Sequence, residues 1–310
     1  HGKEIYKGRI KDIKAEPGQT VTSPFLNGIP ATNSSTGDVR IEFYAAIRTP
    51  EPFLPAGTVI AREQTYVHTF HKEDAPKQAF AGSEEDDRQV VFSGPHFKAT
   101  FDKQSGLLVS YRYKKQEYIH NGQGPRPFFW RAPTDNDYGA KLPIRLKAWK
   151  EASYQEPKAE SFNVVRDKDT TAVKVTYRFP QTDARWDITY KVYGNGVIKV
   201  DNHFVAENAQ TPMIPRVGLR MQLPARITSL TYYGRGPEEN YRDRRTSQFI
   251  GEYTSGIQDM YEPYVRPQEN NHRTDIYWCT LTSKAKEGLL FVADRTFEMN
   301  VSNYPLESLD

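Results

Sequence analysis

The sequence has a single cysteine, Cys279, among its 310 residues. It can therefore form no internal disulfide and no site in which several cysteines bind a metal. No apolar run approaches the roughly 18 residues that a membrane-spanning helix needs. The polar start, His1–Glu4, has none of the features of a secretory signal peptide. These absences assign no compartment, so the cytoplasm and the periplasm both stay open.

Charge of one sign is not in excess either. The chain has 42 Lys and Arg against 39 Asp and Glu, a formal net charge of +3. A surface for nucleic acid or for an anionic membrane needs a concentrated basic face, so we expect neither partner. His68, His71 and His96 are scattered without the spacing of metal ligands and predict no metal site.

Helical periodicity is scarce, and period-two alternation of apolar and polar residues takes its place. Alternation at Lys7–Ile13, Val39–Phe43 and Ile60–Val67 predicts short strands, and we interpret residues 1–72 as part of a small antiparallel sandwich of the immunoglobulin-like kind. Residues 73–89 are rich in charge and predict a linker between two domains. The alternative is a long surface loop inside one domain.

Strand patterns fill the rest of the chain, which we interpret as one large domain at 90–310. Phe97–Phe101 and Leu107–Tyr113 alternate around a hairpin connection, and Gly194–Gly196 is a second hairpin signal. Leu146–Tyr154 is the one candidate helix. So many strands in one domain predict an all-β fold made of two large facing sheets or a barrel.

One stretch, Phe129–Gly139, combines aromatic residues that we expect to be buried with polar residues that we expect at the surface. Two large aromatic residues, Phe129 and Trp130, run directly into Asp135-Asn136-Asp137 and a glycine. Short polar side chains bond to their own backbone, and glycine tolerates positive φ, so the second half predicts a turn. An apolar anchor that carries a polar loop is how rigid scaffolds present functional loops. A purely structural turn is the alternative.

Two further polar stretches follow. Tyr232–Arg245 reads as a strand that ends in a glycine-rich turn with dense Arg and carboxylate residues, which can form bidentate pairs. It is not a phosphate loop, because no Lys-Ser/Thr follows the glycines. Asp259–Arg273, with two prolines, predicts a long extended loop that packs on a sheet.

Together these stretches resemble a known family. WRAPTDND at 130–137, GRGPEENY at 234–241, MYEPYV at 260–265 and PQEN at 267–270 occur in the order found in the small chain of glycoside hydrolase family 2 β-galactosidases of the bacterial lac type. Leu54–Gly57 with Ile60–Gln64 is similar to the end of the immunoglobulin-like domain that precedes it. The resemblance implies a partial immunoglobulin-like sandwich followed by a large antiparallel supersandwich of the galactose mutarotase-like kind.

The resemblance also implies that the chemistry lies outside this chain. In the family, two glutamates on a TIM barrel do the chemistry, and a retaining glycosidase holds them roughly 5 Å apart. The chain has no barrel-like alternation of strands and helices. It therefore resembles a non-catalytic C-terminal piece of a β-galactosidase that hydrolyses terminal β-D-galactose residues, cut at both ends and inactive alone.

The implied partners are the TIM barrel and N-terminal domains of the same parent chain, a galactoside substrate in the full enzyme, and further copies in a homo-oligomer. No cofactor is expected in this chain, since the Mg and Na ions that the family often uses belong to the barrel.

The resemblance assigns roles to residues of the motifs but names no catalytic residue. Adjacent Glu238 and Glu239 would point to opposite faces of a strand, so we interpret them as partners of Arg235, Arg242 and Arg244 and not as a glycosidase pair. Substrate-binding positions at the active-site rim of the full enzyme are Asp135, Asn136, Asp137 and Gly139. Structural positions of the motifs are Arg131, Arg235, Glu239, Asn240, Tyr241, Arg244, Glu269 and Asn270.

Two other functions stay open at this point. One is a free-standing carbohydrate-binding module, because Trp149 and Trp278 could stack on sugars, whereas Trp130 and Trp186 lie in patterns typical of a core. The other is an enzyme like an aldose 1-epimerase, in which His272 would act as the acid. No epimerase-like histidine pattern accompanies His272, so we interpret it as an exposed loop residue.

Overall fold

The computed structural model describes residues 2–11, 13–24, 37–68, 81–167, 170–208 and 211–310. Within these ranges the chain is built almost entirely from antiparallel strands, with a few short helices. The predicted all-β fold is therefore confirmed. None of the helices in these ranges combines the length and the apolar character that a membrane span requires.

The first region contributes two strands. β1 (Val39–Ala46) and β2 (Val59–His68) pair antiparallel, as the alternation at 39–43 and 60–67 predicts. The strand expected at Lys7–Ile13 is wrong for the described part of that stretch, since residues 2–11 and 13–24 contain none. A lone alternating segment without a neighbour to pair with has nowhere to place its backbone hydrogen bonds.

A five-stranded antiparallel meander comes next. The order along the sheet follows the chain. Its strands are β3 (Gly82–Glu85), β4 (Gln89–Ser93), β5 (Phe97–Asp102), β6 (Leu108–Tyr113) and β7 (Gln116–Glu117).

β3 lies inside the stretch that we predicted as a linker, 73–89, of which residues 73–80 fall outside the described residues. Its acidic character suits an edge strand, because charged side chains protect an edge from unwanted pairing. Glu85 forms ion pairs with Lys103 at 2.8 Å and with Arg166 at 2.6 Å. Acidic residues that cannot form a core can thus still fix an edge strand through ion pairs.

A second sheet faces this meander. It has the order β12-β11-β10-β9, and the side chains of its central strands alternate between core and surface. Phe101 of the meander lies 5.1 Å from Tyr190 of the second sheet, centroid to centroid, which joins the two layers in one core. Trp130 and Trp186 are both 2% exposed, which confirms them as core residues. The strands are β9 (Ser161–Asp167), β10 (Thr170–Phe179), β11 (Ala184–Val192) and β12 (Ile198–Ala206).

A third sheet builds a second core. Its order is β15-β14-β16-β17, and its inner face buries Leu230, Tyr232, Ile276 and Cys279. Burial raises the pKa of the Cys279 thiol to about 12. Two short strands, β8 (Arg126–Phe128) and β13 (Gly218–Arg220), form a small separate pair. The strands of the third sheet are β14 (Ile227–Gly236), β15 (Phe249–Gly256), β16 (His272–Ser283) and β17 (Gly288–Asn300).

The α-helices of the described residues all lie between β8 and β9, and single 3₁₀ turns occur elsewhere. The α-helices are α1 (Asp135–Gly139), α2 (Leu142–Arg145) and α3 (Lys147–Tyr154). The helix predicted at 146–154 is confirmed as α3, which buries Trp149 and Ala152 on the side that faces the core.

Glu117, at the end of β7, anchors the turn that leads from the first sheet toward β8. Its Oε1 accepts hydrogen bonds from the backbone N–H groups of Tyr111 at 2.9 Å, Tyr118 at 3.0 Å and Ile119 at 2.9 Å, and its Oε2 accepts one from the Ser110 hydroxyl. Burial raises the pKa of the carboxyl, but these hydrogen bonds to the charged form outweigh it and hold the pKa of Glu117 below its usual range.

A carboxyl whose pKa is lower in the folded state stabilises the fold fully above its unfolded pKa, about 4.3 for Glu. That stabilisation is lost as the pH falls through the lower folded value. We expect Glu117→Gln to cost about 1–3 kcal/mol of unfolding free energy at neutral pH and to flatten the loss of stability in acid. Urea unfolding at neutral and acidic pH measures both. Glu151→Gln, which removes half of an exposed pair, is the control. Equal pH dependence in both variants would contradict this role of Glu117.

Candidate functional site

The stretch 129–139 divides at its middle into a buried anchor and an exposed tip. Phe129 is fully buried and lies 4.7 Å from the ring of Trp149 and 4.9 Å from that of Phe179. The Trp130 indole N–H donates to Asp310 Oδ2 at 2.9 Å. Two aromatic side chains thus fix the chain before it reaches the surface.

The tip forms the short helix α1, where we predicted a turn. The Thr134 hydroxyl accepts from the Asp137 N–H at 3.3 Å, and the Asp137 carboxylate accepts from the Thr134 N–H at 3.0 Å, which together make a capping box. Arg131 donates to Asp137 at 2.7 Å. Asp137 is 6% exposed and is committed to the cap, whereas Asp135, Asn136 and Gly139 are exposed.

The loop that connects Met260 to β16 holds this tip from the side. The Glu269 N–H donates to the Ala132 carbonyl at 3.0 Å. Beyond it, the Arg266 guanidinium lies 3.7 Å from the centroid of the Tyr138 ring and 3.7 Å from Asp135 Oδ1. The first and third motifs of the sequence are therefore in direct contact.

Glu239 joins the second motif to the third. Its carboxylate accepts from Arg244, from the Tyr264 hydroxyl and, at 2.8 Å, from the Asn271 backbone N–H. The side chain is 5% exposed, while neighbouring Glu238 is exposed, as adjacent residues on an extended chain require. Glu239 thus has three donors and works as a buried junction.

Glu269 is a second buried junction. Its side chain is 1% exposed, and its Oε1 accepts from Arg216 and, at 2.9 Å, from the Asn300 amide. Burial is the main cause that raises the pKa of nearby Tyr241, and the negative charges of Glu269 and Glu239 raise it further. An Arg, an Asn and the backbone N–H to Ala132 thus tie this residue to three parts of the chain.

Two asparagines fix the backbone around these carboxylates. The Asn240 amide donates to the carbonyls of Arg235 at 3.1 Å and Glu238 at 3.0 Å, and its oxygen accepts from Thr274. Asn270 accepts from the Glu262 N–H at 3.0 Å and donates to the Glu262 carbonyl at 2.7 Å. Such amide pairs hold loops that have no strand partner.

The arginine partners differ in part from the prediction. Arg235 pairs with Asp275, which also accepts from Arg245 at 2.9 Å, and not with Glu238 or Glu239. Arg242 pairs with Glu298. These acids lie on β16 and β17, so the pairs connect β14 and the loop that follows it to two later strands.

His272 is buried, so its interpretation as an exposed loop residue is wrong. It is 7% exposed at the start of β16, and its ring stacks on Tyr241 at 4.9 Å. Its Nδ1 lies 2.8 Å from Asn300 Oδ1 and its Nε2 lies 3.0 Å from Glu298 Oε2. The next strand therefore covers the ring, which no sequence pattern revealed.

Asn300 and Glu298 connect His272 to the rest of the cluster. The Asn300 amide nitrogen donates to Glu269 and to the Asn270 carbonyl, so its oxygen faces the His272 ring. Burial raises the pKa of Glu298, but the hydrogen bonds from Arg242 and His272 lower it overall.

Both buried glutamates of this cluster are bound to arginines, which commits their carboxylates to holding loops together. The described residues contain no group of three or more His, Cys, Asp and Glu side chains placed to hold a metal ion. The polar side chains that α1 exposes are those of Asp135 and Asn136. Arg216, Asp275, Glu298 and Asn300, which complete the cluster, lie outside the motifs and gave no signal in the sequence.

We expect His272→Ala to lower the free energy of unfolding by about 2–4 kcal/mol, because it removes a buried ring that stacks on Tyr241 and leaves a cavity in its place. Arg242→Ala removes the other partner of Glu298, but that arginine is 81% exposed, and its loss should cost about 1 kcal/mol or less. Urea unfolding of both variants is the measurement. A loss from His272→Ala no larger than that from Arg242→Ala would contradict the buried position.

Comparison with known proteins adds the family. The profile of the β-galactosidase small chain family matches residues 93–310. The β-galactosidase of Priestia megaterium is 34% identical over 230 residues, which are 73% of this chain and 22% of the relative. The β-galactosidases of Streptococcus thermophilus and Lactobacillus delbrueckii subsp. bulgaricus are each 30% identical, over 96% and 98% of this chain but 28% and 29% of their own length. The chain thus spans less than a third of these relatives. With its three motifs in one cluster and this profile over most of its length, the chain belongs to the β-galactosidase small chain family.

Proposed function

We propose that this chain is the non-catalytic C-terminal region of a glycoside hydrolase family 2 β-galactosidase that releases terminal β-D-galactose residues. The observation that carries the proposal is that some polar side chains of the motifs are buried in ion pairs, whereas others are exposed. Buried acids such as Glu239 and Glu269 are used to hold loops, whereas α1 presents the exposed Asp135 and Asn136 on a capped helix that follows a buried anchor. In the proposed supersandwich, this region packs on the barrel domain and shapes its sugar site.

The rim of that site is the proposed role of α1. Asp135, Asn136 and Gly139 are exposed, and no hydrogen bond within the described residues occupies the Asn136 side chain. Asp137 supports them from below through the cap and Arg131. Carboxylate and amide groups are suited to bind sugar hydroxyls, because each hydroxyl both donates and accepts hydrogen bonds.

The first region supports a role as a scaffold within a longer protein. The β1–β2 pair contacts β15, where Gln64 exchanges hydrogen bonds with the Ile250 backbone, but two strands make a marginal sheet and this one leaves apolar side chains uncovered on its surface. Such a sheet needs further strands or a neighbouring domain, and we propose the N-terminal and barrel domains of the same parent chain, with a homo-oligomer of that parent as the final assembly. The exposed side chains are Tyr44, Val59, Ile60, Tyr66 and Val67.

An epimerase-like activity has little support. The acid in such a reaction must reach a sugar, but His272 is buried and its two ring nitrogens lie within hydrogen-bond distance of Asn300 and Glu298. Calorimetry with galactose and lactose distinguishes a carbohydrate-binding module from the proposed non-catalytic region.

The purified 310-residue chain should not hydrolyse a chromogenic β-galactoside, since the pair of acids that the reaction requires is proposed to lie on the barrel domain. We expect a rate equal to that of buffer while the chain is folded, which protection of the Cys279 thiol from a thiol reagent verifies. Calorimetry with galactose and lactose accompanies the assay. Turnover would overturn the non-catalytic role, and binding at millimolar concentration or tighter would favour the binding module.

The rim assignment is tested in the full-length parent enzyme. Asn136→Ala should raise KM for a β-galactoside about fivefold to tenfold, which corresponds to the loss of about one hydrogen bond. Asp243→Ala, also exposed but in the second motif, is the matched control and should leave KM unchanged. Equal KM values for the wild type and both variants would remove α1 from the sugar site.

A further inference from the structure

The loop 261–271, which connects the 3₁₀ turn ending at Met260 to β16, is held at several points but projects a tip into solvent. The Asn270 side chain grips both backbone groups of Glu262, and Tyr264 donates to Glu239. Pro263 and Pro267 restrict φ on either side of the tip. Arg266 therefore extends from a backbone whose position is fixed on both sides.

Arg266 reaches across to α1 and contacts two of its residues at once. Its guanidinium carbon lies 3.7 Å from the Tyr138 ring centroid, well inside the 6 Å or so within which cations attract aromatic rings. Its NH1 lies 3.7 Å from Asp135 Oδ1. Residues three apart share one face of a helix, so a single cation covers the exposed face of α1.

This contact matters because α1 has little else to keep it formed. A helix of five residues is far below the length at which helices are stable alone. The capping box and Arg131 hold its first turn, and its last turn has no basic residue. Gly139 follows with open space around it. The end of α1 thus depends on the ring of Tyr138, and that ring depends on Arg266.

We propose that Arg266 is a positioning residue that keeps α1 folded and orients the Asp135 carboxylate for a sugar hydroxyl. The inference rests on the proposed function, because it assumes that α1 lies at the sugar site. Under this proposal, Arg266 of the loop 261–271 holds α1, which contains the end of the first motif, in place. Arg266 itself need not touch substrate, since its guanidinium is already covered on one side by Tyr138.

The first experiment follows hydrogen exchange in the 310-residue chain. Three backbone amides report on α1, those of Tyr138, Ala140 and Lys141, which donate to carbonyls inside or just before the helix. Arg266→Ala should speed their exchange about threefold to tenfold. Arg266→Lys keeps the charge but loses the planar stack, and it should fall between wild type and alanine.

Two controls separate this effect from general loss of stability. Arg242→Ala removes an exposed arginine that pairs with Glu298 on another strand, and it should leave exchange in α1 unchanged. Tyr138→Leu removes the ring, and combining it with Arg266→Ala should add less than the sum of the two single effects. Unchanged exchange of α1 in Arg266→Ala, with the β strands still protected, would overturn the inference.

The second experiment measures kinetics in the full-length parent enzyme. Arg266→Ala should raise KM about threefold to tenfold and leave kcat within about twofold, since chemistry takes place elsewhere. Asn136→Ala, which does not involve Arg266, is measured beside it. A raised KM for Asn136→Ala with no change for Arg266→Ala would overturn the positioning role while the proposed function stands. No change in KM for either variant would reject the rim itself.

Discussion

Two buried carboxylates are the constraint on which this chain depends. Taking an ionised carboxylate out of water costs several kcal/mol, and only close donors offset that cost. Glu239 meets it with Arg244, Tyr264 and the Asn271 N–H, and Glu269 meets it with Arg216 and Asn300. Because these donors come from distant parts of the chain, satisfying the two charges forces the loops into one arrangement. Carboxylates of the kind that act as catalytic acids in an open cleft are here used to hold loops in place.

The stretch 129–139 transfers that rigidity to the surface. Phe129 lies in the first core, and the Ala132 carbonyl accepts from Glu269, so the stretch is held by packing on one side and by the polar cluster on the other. What remains free is α1, a single turn of helix with exposed Asp135 and Asn136. A short polar element on such a mount loses little conformational entropy when it binds a ligand, which is the condition for a precise rim.

The sequence predicted the parts of the fold that depend on local pattern. Alternation at 39–43, 60–67, 97–101 and 107–113 predicted β1, β2, β5 and β6, and Gly194–Gly196 marked the hairpin between β11 and β12, because each signal is contained within a few neighbouring residues. The predictions that failed depend on distant residues. His272 appeared exposed because nothing nearby announces that Asn300 and Glu298 cover it. The motifs likewise indicated that Glu239 would pair with arginine, but Arg216, the partner of Glu269, lies in no motif.

The burial of Cys279 has a practical consequence. The chain has one thiol, and its position in the second core with a pKa raised to about 12 makes it nearly inert to ordinary labelling reagents while the fold is intact. A cysteine introduced on the surface would then be the sole reactive thiol of these 310 residues without any change to the native one. Placed at Gly139, it could carry a fluorophore that reports the motion of this surface in real time.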